Sequence, residues 1–237
     1  LWDRSAEEWG LFVDKCDAYH SSMRMVAELG QIDDVSTILD LGAGTGHTSQ
    51  DLLKLCPSAQ LTVLDASPQM VLKARSVLGE SAEYALCRIP PAPVEDPVDV
   101  SGVLFDLVVI HLALPAVACD RDQLRSVAEW CERRLGQRGR VVLAANNTAV
   151  SIRSSTYDPG TDPLRHAIRS AASDLGFHTH LRDLAARSFT QEEVEAAFGR
   201  GGYAVQATHE ECFPMSMDDR VRMWRTPAVL NDLIDVR

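Results

Sequence analysis

The chain has 237 residues, of which 46% are hydrophobic, and its formal net charge is −11. This length fits one large α/β domain or a domain with an insert, and the negative charge disfavours nucleic acid and anionic membrane surfaces as partners. The sequence contains no run of about 18 apolar residues, so we expect no transmembrane helix.

The first predicted element is an amphipathic helix over residues 5–29, where apolar side chains recur at helical spacing. Ser5 and Glu8 have the spacing of a capping box, which predicts that the helix begins there. Trp9 and Phe12 are interpreted as part of its packing face, and an aromatic wall for a substrate is the alternative.

The most informative stretch is I-L-D-L-G-A-G-T-G-H-T, residues 38–48. It predicts a buried strand over Thr37–Leu41, a glycine turn and a helix over His47–Leu55. Glycine permits a positive φ and the close approach of a ligand, and the helix start offers free N–H groups to an anion. A second strand, Gln60–Asp65, ends in an acid that can accept hydrogen bonds from ribose hydroxyls. The pattern predicts a site for a nucleoside-bearing cofactor.

Strands and helices continue to alternate up to residue 145. The predicted elements are a helix over 68–78 that begins at Ser67 and Pro68, a weaker strand over 83–89, a proline-rich loop over 90–97, a strand over 105–111, a helix from 120 to about 135, and a strand over 140–145. Gly136 and Gly139 flank the turn before the last of these strands. Strict alternation implies a parallel, doubly wound sheet.

The pattern changes after Asn147. Residues 148–187 contain a helix start at Asp162 and Pro163 but no strand run, which predicts a helical insert or lid.

Strand and helix signals return near the end of the chain. Thr190 and Glu193 form a second capping box, and a sixth strand is predicted over 203–209. A short helix from about 218 to 224 and a final helical turn after Pro227 follow. A seventh strand is not evident, unless it lies within 212–217.

The glycine spacing separates two classes of nucleotide site. The dinucleotide fingerprint G-x-G-x-x-G would place its third glycine at position 47, which is His47, whereas the spacing here is G-x-G-x-G and ends at Gly46. With Asp40 before the glycines and Asp65 after them, the pattern resembles motif I and the second-strand acid of class I S-adenosylmethionine (SAM)-dependent methyltransferases, of the small-molecule type.

This resemblance covers residues 37–145 and implies a Rossmann-like α/β fold. The sheet would be doubly wound and mostly parallel, with an N-terminal helical cap and a helical insert after the fifth strand. A single methyltransferase domain would span residues 1–237. Its parts would be the cap helix (1–30), the SAM-binding core (36–146), the insert or lid (147–187) and the C-terminal part of the fold (188–237).

The resemblance also implies which residues bind SAM. They are Tyr19, Asp40, Gly42, Ala43, Gly44, Gly46, Asp65, Ala66, Met70, Cys87, Arg88 and His111. The family often has an acid near the adenine after the third strand, and Cys87 and Arg88 occupy that position here. Backbone groups at these two residues, or Glu95 and Asp96, are the alternatives for adenine contact.

His111 and His20 are the predicted catalytic residues. His111 ends the fourth strand, and ligands bind outside the carboxyl ends of strands in α/β sheets. His20 follows Tyr19 on the N-terminal helix, which in similar enzymes closes over the cofactor. A structural role is the alternative for His111, and packing in the apolar stripe of the helix is the alternative for Tyr19.

Metal and disulfide chemistry are not expected. His166, His178 and His180 match no metal motif, and the six cysteines form no C-x-x-C pair. Free, mostly buried thiols and the lack of a visible signal peptide predict a cytoplasmic location.

The function implied by the resemblance is methyl transfer from SAM to an oxygen, nitrogen or carbon atom of a small molecule, in secondary metabolism. Residues 111–114 read H-L-A-L, unlike the N-P-P-Y signature of amide or adenine methylation. One alternative is a SAM-binding protein of the same fold with other chemistry or no catalytic role. A nicotinamide-dependent oxidoreductase is less favoured. A small-molecule substrate is the expected partner, and a homodimer is compatible with the sequence.

Overall fold

The computed structural model describes residues 2–88, 102–146, 150–151, 163–176, 189–200 and 202–230. Its centre is a five-stranded parallel sheet with the strand order β3-β2-β1-β4-β5. The strands are β1 (Thr37–Leu41), β2 (Gln60–Asp65), β3 (Glu83–Leu86), β4 (Phe105–His111) and β5 (Leu135–Ala144), and a separate parallel pair joins β6 (Val150–Ser151) to β7 (Phe189–Thr190).

Helices cover both faces of the sheet. They are α1 (Ala6–Val13), α2 (Asp17–Leu29), α3 (His47–Leu55), α4 (Pro68–Leu78), α5 (Leu114–Val117), α6 (Arg121–Arg134), α7 (Pro163–Asp174), α8 (Gln191–Arg200), α9 (Met217–Arg225) and α10 (Pro227–Leu230). Two short 3-10 helices, Trp2–Ser5 and Ile32–Asp34, precede α1 and β1.

Successive residues of the central strands belong to two different hydrophobic clusters. Leu39 and Val108 pack in the cluster that contains Trp130 of α6, whereas Ile38 and Val109 pack in the cluster that contains residues of α2 and α3. This division follows from the alternation of side chains along a strand. It confirms the predicted α/β fold with a sheet buried on both faces.

Several helix starts follow the predicted side-chain chemistry. The Thr190 hydroxyl accepts from the backbone N–H of Glu193 (3.2 Å), and the Glu193 carboxylate accepts from the backbone N–H of Thr190 (3.0 Å). This is the reciprocal arrangement of a capping box. Ser67 caps α4 and Asp120 caps α6 by simple side-chain caps, in which the side-chain oxygen accepts from backbone N–H groups of the first turn.

The prediction of one N-terminal helix over 5–29 is wrong, because the chain changes direction at residues 14–16, between α1 and α2. Helix α1 packs against α4 and α9, whereas α2 packs against α3 and β5. One straight helix could not make both sets of contacts. The predicted capping box at Ser5 is also wrong: its hydroxyl accepts from the backbone N–H of Ala228 (2.9 Å) and makes no cap bond to α1.

The strand predicted over 203–209 is wrong, as is the alternative strand within 212–217. Residues 203–216 form neither helix nor strand, and α9 begins at Met217 with Ser216 as its cap. The Tyr203 ring packs on Phe198 with 5.5 Å between centroids, while Val205 is left 57% exposed. A local β pattern produces a strand only when a partner strand is available for pairing.

Two smaller predictions also need correction. Residues 148–187 contain a strand after all, the two-residue β6. Gly136 and Gly139 do not precede the fifth strand but lie within β5, at an irregularity where Leu135 pairs with Phe105. A Cβ at Gly139 would lie 2.9 Å from the Phe105 carbonyl oxygen, so the close approach of the backbone there requires glycine.

The cysteines are all free thiols, but only three of them are buried: Cys16, Cys56 and Cys131. Cys87 is half-buried, and Cys119 and Cys212 are exposed, which corrects the expectation of mostly buried thiols. Within the described ranges, no helix has the length and apolar character needed to cross a membrane.

Candidate cofactor site

The glycine loop joins β1 to α3 in a conformation that ordinary residues rarely adopt. Gly42, Gly44 and Gly46 have φ angles of 75°, 56° and 82°. A Cβ at Gly42 would lie 2.7 Å from the Ala113 Cβ, and a Cβ at Gly46 would lie 3.0 Å from the Cα of Ala74 in α4. Two of the glycines therefore permit close packing of the protein itself.

Asp65 lies at the carboxyl end of β2, beside this loop. Its Oδ2 accepts from the backbone N–H of Gly44 (2.9 Å), and its Oδ1 accepts from the backbone N–H of Ser67 (2.8 Å). Burial is the main cause that raises the pKa of this carboxyl group above its usual range. The carboxylate is half-buried, so it can still accept hydrogen bonds from a ligand.

Asp40 lies beneath the loop and has almost no exposed surface. The Ser49 hydroxyl of α3 donates a hydrogen bond to its Oδ2 (2.6 Å). Burial raises the pKa of Asp40 to about 7, and the nearby Asp65 carboxylate adds to the effect. Through this hydrogen bond Asp40 links β1 to α3.

Tyr19 and His111 are brought together in one buried array. The Tyr19 hydroxyl lies 2.8 Å from Thr48 Oγ1, which in turn lies 2.8 Å from His111 Nδ1. His111 Nε2 lies 2.8 Å from the hydroxyl oxygen of Ser22. Burial lowers the pKa of His111 to about 3, so its ring is neutral at ordinary pH. Both ring nitrogens have partners within the protein, which does not favour His111 as a general base.

His20 has a different environment. Its Nδ1 lies 2.6 Å from Asp51 Oδ2, and the other oxygen of Asp51 accepts from the Lys54 ammonium (2.7 Å). The His20 side chain is 25% exposed, and within the described part of the chain its Nε2 has no hydrogen-bond partner. A carboxylate on one ring nitrogen and a free second nitrogen is the arrangement of an oriented base.

The structure places the remaining predicted residues as follows. Ala43 is buried in the loop, Ala66 is exposed after β2, and Met70 is almost fully buried in the first turn of α4. The backbone N–H of Cys87 donates to the Asp65 carbonyl (3.0 Å), and Arg88 is exposed. His166 is exposed on α7, while Glu95, Asp96, His178, His180 and the proline-rich loop lie outside the described residues.

Sequence reasoning missed several residues at this site. Trp9 was interpreted as packing or as an aromatic wall for substrate, but a Cβ at Gly44 would lie 3.6 Å from its Nε1, so the indole lies against the glycine loop at Gly44. Ser22, Thr48 and Asp51 were also missed. Thr48 and Asp51 are three positions apart on α3, so they share a face, but no local signal shows that Tyr19, His20 and His111 meet that face.

The residues present fit a nucleoside-bearing cofactor. The glycine backbone turns without side chains at the end of β1, α3 begins there, and a half-buried carboxylate stands at the end of β2. Gly46 packs against α4, a contact between helices, whereas the third glycine of the dinucleotide fingerprint permits close packing of a helix on a strand.

Comparisons with known proteins agree with this geometry. A family profile described as "Methyltransferase domain" matches residues 39–141, the range from β1 into β5. Residues 39–141 form a class I methyltransferase domain. The family predicted from the glycine loop is thus confirmed, and SAM is the cofactor that class I methyltransferases use.

Curated relatives of this methyltransferase domain also carry methyltransferase names. The malonyl-[acyl-carrier protein] O-methyltransferase of Geobacter sulfurreducens is 30% identical over 70% of this chain and 55% of its own length. The trans-aconitate 2-methyltransferase of an Enterobacter species is 47% identical over 49 residues, 21% of this chain and 19% of its own. The chain therefore matches between a fifth and just over half of the length of these relatives.

Solved structures resemble the methyltransferase fold over most of the chain. An O-methyltransferase family protein from Burkholderia thailandensis has a TM-score of 0.54 and 16% identity, covering 81% of this chain and 52% of its own. The plantazolicin methyltransferase BamL has a TM-score of 0.53 and 14% identity, covering 82% and 66%. At these identities the likeness supports the fold alone.

Proposed function

We propose that this protein transfers a methyl group from SAM to an oxygen, nitrogen or carbon atom of a small molecule, with secondary metabolism as the setting. The observation that carries the proposal is the Asp65 carboxylate beside a glycine loop with G-x-G-x-G spacing. The names of the relatives support it, since both are methyltransferases.

The residues of the site would hold the cofactor by its two polar ends. Asp65 would accept hydrogen bonds from the ribose hydroxyls, because it ends β2 at the sheet edge where ligands bind in α/β folds. The free N–H groups at the start of α3 would bind an anionic group. Trp9 would exclude water from the loop, since its indole covers Gly44.

The sulfonium of SAM supplies an activated methyl group, so the protein mainly has to orient the acceptor in line with it. A base is needed only when the acceptor atom carries a proton that must leave. For such an acceptor, His20 is the better of the two histidines, because Asp51 orients its ring and leaves Nε2 free. His111 uses both ring nitrogens within the protein.

Calorimetry with SAM, S-adenosylhomocysteine and NAD tests the proposed cofactor. We expect SAM and S-adenosylhomocysteine to bind and NAD not to bind. Tight NAD binding without SAM binding would establish the nicotinamide alternative. If SAM binds but no S-adenosylhomocysteine forms with pooled small-molecule acceptors, then the SAM-binding alternatives without methyl transfer hold.

A pair of variants tests His20 as the base. We expect His20→Gln and Asp51→Asn to lower kcat for an acceptor that loses a proton, by about 10²-fold for His20→Gln, with the Kd for SAM little changed. An exposed acid, Asp33→Asn, is the matched control. An unchanged kcat in His20→Gln would remove the histidine from the reaction.

Two further parts of the proposal concern the location of the protein and its oligomeric state. We propose a cytoplasmic location, supported by six free cysteines, and cell fractionation would test it. The homodimer stays a prediction, which sedimentation would measure.

A further inference from the structure

The four side chains Tyr19, Thr48, His111 and Ser22 form a chain of hydrogen bonds whose directions can be assigned. The Ser22 hydroxyl donates to the backbone carbonyl of Tyr19 (2.8 Å), an atom that can only accept. A hydroxyl has one proton, so when Ser22 uses it on this carbonyl, its Oγ accepts from His111 at their 2.8 Å contact. In that arrangement His111 carries its proton on Nε2.

The same reasoning assigns the other half of the chain. With its proton on Nε2, a neutral imidazole has an acceptor at Nδ1, so the Thr48 hydroxyl donates to it (2.8 Å). Thr48 has then used its proton, and its oxygen must accept from the Tyr19 hydroxyl (2.8 Å). The chain begins at the Tyr19 hydroxyl and ends at the Tyr19 carbonyl.

We propose that His111 is a positioning residue, held as the neutral Nε2–H tautomer, which acts through Thr48 to direct the Tyr19 hydroxyl to the start of α3. Thr48 is the second residue of α3, next to the glycine loop, so its bond to Tyr19 braces the helix start that would bind the anionic end of the cofactor. Tyr19 uses its proton on Thr48, so it supports this helix start and does not itself donate to the ligand. The proposal rests on the proposed function for the identity of that ligand.

A protonated His111 would reverse the directions in half of this array. Nδ1 and Nε2 would then both donate, so Thr48 would accept from His111 and would no longer donate to it. The low pKa that burial gives His111 agrees with a ring that stays neutral. His111 thus acts through its tautomer and not through proton transfer.

Two amide substitutions at position 111 separate the two halves of the chain. The side-chain oxygen of His111→Asn can replace Nδ1 and accept from Thr48, whereas the amide nitrogen of His111→Gln can replace Nε2 and donate to Ser22. We expect His111→Asn to keep the Kd for SAM within about twofold of the unsubstituted protein, and His111→Gln to weaken it about 3- to 10-fold.

Substitutions at Thr48 test the same link without changing the ring. Thr48→Val should weaken SAM binding as His111→Gln does, and Thr48→Ser should restore it. In a Tyr19→Phe background, Thr48→Val should have no further effect, because the hydroxyl it directs is gone.

The decisive measurements are calorimetry and ¹⁵N NMR of the histidine rings. The His111 signals, identified by their loss in His111→Asn, should show one protonated and one unprotonated nitrogen from pH 6 to pH 8. A proton on Nδ1, or equal SAM affinity for the Asn and Gln variants with Thr48→Val unchanged, would overturn the proposal. If His111 had a purely structural role, Tm would fall in all variants, and the SAM affinity of His111→Asn would not exceed that of His111→Gln.

The experiments still decide the proposal if the His111 variants do not fold or if SAM does not bind. Should both His111 variants not fold, the Thr48 pair and the Tyr19→Phe background still decide whether the link exists. If the unsubstituted protein binds no SAM, the proposed function fails, whereas the NMR spectra still decide the tautomer of His111.

Discussion

The carboxylate of Asp65 accepts a hydrogen bond from the backbone N–H of Gly44, with 2.9 Å between Oδ2 and N. Its second oxygen accepts from Ser67 (2.8 Å) at the start of α4. One side chain therefore connects the end of β2 to the glycine loop and to the next helix, so the group that would bind the ribose also fixes the shape of the loop.

We expect Asp65→Ala to weaken SAM binding by about 1–3 kcal/mol, since ribose hydroxyls and two backbone N–H groups would lose their acceptor. Calorimetry measures the Kd, and Asp33→Ala, at an exposed acid before β1, is the control. An unchanged Kd would mean that the ribose binds elsewhere.

Asp40 should make stability depend on pH. Burial raises its folded pKa to about 7 from a usual value of 3.8, so the folded protein holds a proton that the unfolded chain releases. The stabilisation is complete below about pH 4 and is lost as the pH rises through about 7.

In the unsubstituted protein, Asp40 should make the free energy of unfolding fall by roughly 1–4 kcal/mol between pH 5 and pH 8. We expect Asp40→Asn to remove this part of the fall, because asparagine does not titrate. Urea unfolding at both pH values measures it, with Asp34→Asn, at an exposed acid, as control. The same pH slope in both proteins would contradict a proton on Asp40. The raised pKa of Asp65 also makes stability fall as the pH rises, and it does so both in the unsubstituted protein and in Asp40→Asn.

Leu112 has a φ of 55°, in the left-handed region, directly after His111. Its side chain packs against the cluster of Phe12 and Tyr19 from the N-terminal helices. A non-glycine residue in this region is strained by about 1–2 kcal/mol. We expect both Leu112→Ala and Leu112→Gly to destabilise the protein, with the glycine variant the more stable by about 1 kcal/mol.

Leu72 supplies the matched pair for this comparison. It is 58% exposed on α4, where Leu72→Gly should be less stable than Leu72→Ala by roughly 1 kcal/mol. Thermal unfolding of the four variants measures both differences. The same order at both positions would show that Leu112 is not strained.

Ser5→Ala should lower the free energy of unfolding by about 1–3 kcal/mol, because it removes the acceptor of the buried Ala228 N–H. Denaturant unfolding measures the change. Ser126→Ala, which removes an exposed hydroxyl bonded to a helix carbonyl, should change it by less than about 0.5 kcal/mol. Equal effects of the two substitutions would contradict the link between Ser5 and α10.

The elements whose signal lies in residues adjacent along the sequence were predictable. The bounds of β1, β2, β4 and α3 match the predictions, because apolar runs and the glycine turn are local signals. Asp65 is also at the predicted end of β2. Residues 203–216 show the opposite case, since their strand pattern was local but pairing required a distant partner.

The side-chain array of the site could not be predicted from the sequence. Ser22 and His111 are 89 positions apart, and Thr48 and His111 are 63 apart, yet each pair is in hydrogen-bond contact. No periodicity or spacing encodes such contacts. The sequence therefore indicated both histidines as catalytic, and only the geometry separates an oriented, accessible ring from a fully bonded one.

The hydrogen bond between Ser5 and Ala228 joins residues 223 positions apart. A contact of such high sequence separation forms late in folding, because closing a long loop is slow and is not rewarded until both ends are ordered. During synthesis, α1 emerges long before α10. The contact between Ser5 and α10 can therefore form only after the chain has been made up to Ala228.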